Sequence, residues 1–136
     1  MRLTRLDHLA LYVSDLSVAE RFYTDVLGMK LVSRLGEMTL VECAGLNIGL
    51  VRRPELAPRD PGVIRDPLAR AHHAFLVDAA DLGRWRAALE AAGAPTHGPV
   101  SWGDHECFYF LDPDGNLLEI VTPPGSPVSA APEAAG

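Results

Sequence analysis

A chain of 136 residues, 48% apolar and 22% charged, has the composition of a soluble globular protein, and no apolar run nears the ~20 residues of a membrane span. A formal charge of −6 with scattered arginines disfavours nucleic acid and anionic membrane, so the expected partner is a small molecule. The start Met1-Arg2-Leu3-Thr4-Arg5 lacks a secretory pattern, and Cys43 and Cys107 form no C-x-x-C pair, so a cytoplasmic location with reduced thiols is expected.

Residues 6–13 alternate and end at Ser14-Asp15, which predicts a strand with His8, Ala10 and Tyr12 on one face. Ser17-Val18-Ala19-Glu20 is a capping-box pattern, and Val18, Phe22 and Val26 recur at four-residue spacing, so a helix is predicted from Ser17 to a stop at Gly28. Strands at 30–35, 39–43 and 47–52 complete a first module of about residues 5–53. Residues 54–70 carry Pro54, Pro58, Pro61 and Pro67 without periodicity and read as a long connection that covers a site or a subunit contact.

A second module, about 71–122, repeats the plan. It has a strand at 71–77, a helix at 81–92 with Leu82, Trp85 and Leu89 inward and a stop at Gly93, then strands at 94–98, 106–111 and 117–121. Asp112-Pro113-Asp114-Gly115 is the turn between the last two. Residues 1–122 are therefore expected to form one domain, and 123–136, poor in large apolar groups, a flexible tail.

The two modules open alike. His8-Leu9-Ala10-Leu11-Tyr12-Val13 and His72-His73-Ala74-Phe75-Leu76-Val77 share the pattern His-x-Ala-apolar-x-Val, sixty-four residues apart. An imidazole that recurs at the head of a duplicated unit suggests two halves meeting at one metal. Neighbours in a strand point oppositely, so only one of His72 and His73 matches His8, and the repeat selects His72. Glu119 stands among Leu118, Ile120 and Val121, where a carboxylate is costly unless paired or bound to metal. Two imidazoles and a carboxylate make a facial triad with open positions for water, dioxygen or a chelating substrate. Taken alone, His8 reads as a hydrogen-bonded core histidine; the matched His72 and the out-of-place Glu119 turn the reading to metal. His73, His97 and His105 lack that support, and Trp102 either lines a pocket or packs on its own module.

These opening strands, the segment Phe22-Tyr23-x-x-Val26-Leu27-Gly28, and Phe108-Tyr109-Phe110-Leu111-Asp112-Pro113-Asp114-Gly115-Asn116-Leu117-Leu118-Glu119 are similar to the vicinal oxygen chelate superfamily, over residues 5 to about 123. That group includes glyoxalase I, extradiol dioxygenases, methylmalonyl-CoA epimerase, fosfomycin-resistance enzymes and bleomycin-binding proteins. The resemblance implies an α+β fold in which two βαβββ modules form an open, curved mixed sheet around a metal site, with His8, His72 and Glu119 as ligands in a homodimer. Glyoxalases and epimerases usually have a fourth ligand where the repeat places Gly49, so a three-ligand site fits the extradiol and fosfomycin-modifying members better. By the same resemblance Tyr109, ten residues before Glu119, orients the substrate; the family signature's histidine lies further upstream of the Phe-Tyr pair than His105, which is taken here as the candidate for proton transfer. A basic cluster for a phosphonate is absent after Glu119.

The resulting expectation is a metal-dependent enzyme whose substrate chelates a divalent ion through two oxygens, an extradiol-dioxygenase-like oxidoreductase with Fe2+ being favoured. Mn2+, Ni2+, Zn2+ and Co2+ remain alternatives. So do a glyoxalase- or epimerase-like isomerase or lyase, a fosfomycin-resistance-like enzyme, and a non-catalytic bleomycin-resistance-type binding protein.

Overall fold

Alternation makes the first strand. In β1 (His8–Val13), Leu11 and Val13 turn inward while His8, Ala10 and Tyr12 face out. The computed structural model, which describes residues 1–57 and 59–129, divides into two compact units, Met1–Pro58 and Arg59–Gly136. The boundary falls inside the proline-rich connection, where little periodic structure competes.

After β1 comes α1 (Leu16–Arg21), which continues through a wide π-helical turn over Phe22–Val26. The capping box is not what starts it. Asp15 accepts from the Val18 N–H at 3.0 Å, so an aspartate just before the helix satisfies the first-turn donor. Glu20 is thereby free to take Arg34 in a two-point pair, Nε to Oε1 at 2.8 Å and Nη2 to Oε2 at 3.0 Å. Gly28, at φ +73°, ends the helical segment as predicted. Strands β2 (Lys30–Leu35), β3 (Met38–Cys43) and β4 (Leu46–Arg52) follow, in the sheet order β1-β4-β3-β2. The β1–β4 pairing is parallel and the others antiparallel.

The second unit repeats this with β5 (His73–Leu76), α2 (Leu82–Ala91), β6 (Thr96–Ser101), β7 (Glu106–Leu111) and β8 (Leu117–Val121), in the order β5-β8-β7-β6 with β5 parallel to β8. The architecture is thus α+β, two βαβββ modules each with a four-stranded mixed sheet. Strand β6 does not stop at Gly98, because a shift of register between His97 and Val100 lets it pass Pro99, which has no N–H for the ladder, and run on to Ser101.

The two faces of the second sheet have different covers. Phe108, Phe110, Leu118 and Ile120 form the face toward α2, whose Leu82 and Leu89 are buried. On the other face Cys107, Tyr109, Leu111 and Leu117 pack with Val100 of β6 and with Ile64, from a 3-10 turn at Pro61–Arg65 in the connection. One turn of the connection therefore packs on that face of the second sheet. Past β8, the Ser129 N–H and hydroxyl donate to the Glu106 carboxylate at 2.9–3.1 Å, and residues 130–136 of the expected tail lie outside the described residues. Among the described residues no helix is long and apolar enough to cross a membrane.

Candidate metal centre

Glu119 owes its place to a turn. Asp112 Oδ1 accepts from the backbone N–H of Asp114 at 2.9 Å and of Asn116 at 2.8 Å, and its Oδ2 accepts from Asn116 Nδ2 at 2.8 Å. Arg59 Nη1 donates to Asn116 Oδ1 at 2.6 Å, so the turn is braced from outside as well. It fixes the register that sets Glu119 opposite Tyr109, with Ala74 across on β5. A slip of one residue would send the carboxylate to the helix side.

His72 lies just ahead of β5, two residues before Ala74. Its Nδ1 is 3.3 Å from the Arg70 carbonyl oxygen. A carbonyl can only accept, so Nδ1 carries the proton and Nε2 presents a lone pair. Nε2 faces Glu119 Oε2 at 3.9 Å, too far for a hydrogen bond. Two bonds to one ion of about 2.1 Å each can span that gap. The backbone anchor on the second nitrogen is the arrangement that orients metal-ligating imidazoles. Glu119 is 8% exposed. An imidazole lone pair and a buried carboxylate oxygen turned toward each other form a donor set that suits a cation.

Tyr109 is fully buried, its ring edge-to-face with His72 at 5.5 Å. Burial, then the neighbouring Cys107 and Glu119, raise its hydroxyl above the usual range, so it stays protonated. Burial likewise pushes the Cys107 thiol up to about 12, the Trp102 indole N–H opposing and Glu119 adding to the rise. Trp102 Nε1 donates to Cys107 Sγ at 3.3 Å, which ties that tryptophan to its own module.

In the first unit His8 opens β1 on the face of Ala10 and Tyr12, its side chain 65% exposed. Nδ1 lies 2.9 Å from Asp7 Oδ2. The hydrogen bond from His8 holds the Asp7 carboxyl below its ordinary value, and with Nδ1 as the donor the neutral tautomer of His8 has its lone pair on Nε2. Both repeat histidines thus have Nδ1 committed. Register also confirms the match of Gly49 to Glu119, since Gly49 lies opposite Ala10 and Leu40 as Glu119 lies opposite Ala74 and Tyr109.

The structure therefore brings His72, Glu119 and Tyr109 together in the second unit, while His8 belongs to the first. Among the described residues no group of three His, Cys, Asp or Glu side chains is placed to hold a metal ion. His73 pairs with Leu118 and so shares the helix-facing side. His105 sits in the β6–β7 turn, Nδ1 at 2.7 Å from Asp104 Oδ1, four residues along from Tyr109 and so about 13 Å away at extended-chain spacing. His97 is the histidine that shares a row with the candidate site, directly opposite Tyr109 on β6. Sequence reasoning put His97 inside the 94–98 strand but gave it no role, because the bulge between His97 and Val100 that sets its register against Tyr109 leaves no periodic signal.

A profile of the Glyoxalase/Bleomycin resistance protein/Dioxygenase superfamily matches residues 5–120. The chain is 32% identical over 121 residues to Glutathione transferase FosA of Serratia marcescens, covering 87% of this chain and 80% of that one. It is 33% identical over 128 residues to Metapyrocatechase 2 of Cupriavidus necator, covering 93% of this chain but 36% of that protein. A solved structure of a glyoxalase/dioxygenase from Nostoc punctiforme superposes with a TM-score of 0.74 at 27% identity, over 89% of this chain and 92% of that one.

Proposed function

The chain belongs to the Glyoxalase/Bleomycin resistance protein/Dioxygenase superfamily, and from that premise we propose that it is a metal-dependent enzyme binding a small substrate through two adjacent oxygens. The reaction we assign is dioxygenase-like cleavage of an aromatic diol. One observation carries the metal reading: His72 Nε2 and Glu119 Oε2 face each other at 3.9 Å with the other imidazole nitrogen tied to a backbone carbonyl. His8, similarly committed to Asp7, supplies the third ligand, from its own chain or from a second copy in a homodimer. The divalent ion, Fe2+ first, supplies Lewis-acid stabilisation of the bound oxygens and open positions beside them.

The protein's own side chains do the rest. Tyr109, held protonated beside Glu119, is a neutral donor that steadies the carboxylate or a substrate oxygen without adding charge. Proton transfer, which the sequence suggested for His105, falls better to His97 in the Tyr109 row. Val100, Cys107 and Ile64 on this face exclude water, and β5, β6, β7 and β8 contain no lysine or arginine. Such a surface suits a neutral ring better than a phosphonate anion.

The test is elemental analysis of protein purified without chelators, followed by oxygen uptake on catechols under air and under nitrogen. Bound iron with oxygen consumed in step with catechol supports the reading. Bound metal with thiol consumed on an epoxide, and no oxygen uptake, transfers the assignment to a thiol transferase. Absence of metal after reloading leaves a binding protein.

A further inference from the structure

Cys107 is fully buried on the face of β7 that carries Tyr109, and core packing alone does not explain its surroundings. The β6–β7 turn fixes Trp102 beside it: the Trp102 backbone N–H donates to the His105 carbonyl at 2.9 Å, and the Gly103 N–H donates to the Ser101 hydroxyl at 3.2 Å. The indole is 40% exposed, yet its one polar atom, Nε1, is committed to Cys107 Sγ at 3.3 Å. An indole N–H can only donate, so the sulfur accepts, and the thiol hydrogen is left for an acceptor on the same face.

Register names that acceptor. Cys107 pairs with Val121 and Tyr109 with Glu119, which makes Glu119 the diagonal neighbour of Cys107, within side-chain reach. The Cys107 thiol and the Tyr109 hydroxyl both adjoin the Glu119 carboxylate, whose Oε2 faces His72 Nε2. We infer that Cys107, oriented by Trp102, is a positioning residue for Glu119: its S–H donates to the carboxylate and holds Oε2 toward His72, which leaves the single proton of Tyr109 for a substrate oxygen. A thiol suits the place, because a neutral, weak donor fixes the carboxylate without competing for it as a lysine or arginine would. The inference rests on the metal reading above and lies wholly within the second unit.

Four variants test it: Cys107→Ala, Cys107→Ser, Trp102→Phe and Tyr109→Phe. The readouts are Zn2+ affinity, by competition with a chromophoric chelator, and the thermal midpoint of metal-free protein. Cys107→Ala and Cys107→Ser both lower the midpoint, the first by leaving a void and the second by burying a hydroxyl. Only Cys107→Ala weakens Zn2+, by about tenfold or more, the scale of a lost partner behind a metal ligand, whereas the serine still donates and stays within about twofold of wild type. Trp102→Phe, at an exposed position, keeps the fold and weakens Zn2+ by about fivefold, the worth of one net hydrogen bond. Tyr109→Phe stays within about twofold, since the carboxylate does not depend on its proton. Wild-type affinity in Cys107→Ala or Trp102→Phe, or a loss in Cys107→Ser or Tyr109→Phe as large as that in Cys107→Ala, overturns the inference while the metal reading survives. If wild-type protein binds no Zn2+, or His72→Ala binds it equally well, the metal reading fails and this inference fails with it.

Discussion

His72 and His73 are covalent neighbours in different chemical settings. His73 shares the helix-facing side with Leu118, and burial, then the adjacent His72, lower its pKa, so it stays neutral. His72 points its Nε2 at Glu119. His72→Ala is expected to lose bound metal by a hundredfold or more in affinity, on the order of a deleted ligand, whereas His73→Ala keeps it within about threefold. Metal content after dialysis reads the contrast, and a reversed result puts the site on the other strand face. Cys107 gives a pH prediction at the same scale. With its thiol near 12, the thiolate fraction at pH 8 is about one in ten thousand. In a Cys43→Ser background the remaining thiol stays silent toward a disulfide probe at pH 8 and reacts once denaturant is added. Rapid reaction in native protein would show that Cys107 is reached by solvent.

At the scale of elements, the β7–β8 turn positions the carboxylate. Asp112 is buried and its carboxylate accepts three hydrogen bonds within the turn. Asp112→Ala removes charge-assisted bonds worth roughly 1.5–3 kcal/mol each in isolation, so a loss of about 3 kcal/mol in unfolding free energy is expected, with metal affinity falling as Glu119 loses its fixed register. Denaturant titration and metal competition measure the two effects. If stability falls and metal affinity does not, the turn supports the fold alone. Elements of this kind were legible in the sequence because alternation, glycine stops and an Asp-Pro-Asp-Gly turn leave local signatures, and the buried Glu119 stood out as a charge in an apolar strand. Less legible was whatever depends on irregular local geometry or on contacts distant in sequence. His97 reaches the Tyr109 row through a bulge, Asp15 outcompetes Ser17 for the helix start, and Ile64 packs from a single 3-10 turn too short to show a period.

For the whole molecule, duplication has kept the sheet and the histidine while changing the residue at the carboxylate position, Glu119 in one unit and Gly49 in the other. The proposed ligands are therefore distributed unequally, His8 from the first unit and His72 with Glu119 from the second. A ligand bound only by folded protein stabilises it by about 2.7 kcal/mol at a hundred times its dissociation constant, which for a chain of this size raises the thermal midpoint by on the order of 10 °C. Adding Fe2+ or Mn2+ under nitrogen is expected to give that rise, and a chelator to reverse it, in a thermal scan followed by circular dichroism. His8→Ala and His72→Ala are each expected to abolish most of the shift, although the two residues belong to different compact units. A full shift retained in His8→Ala would mean that the ion is held by the second unit alone, and His8 would then lose its place among the ligands.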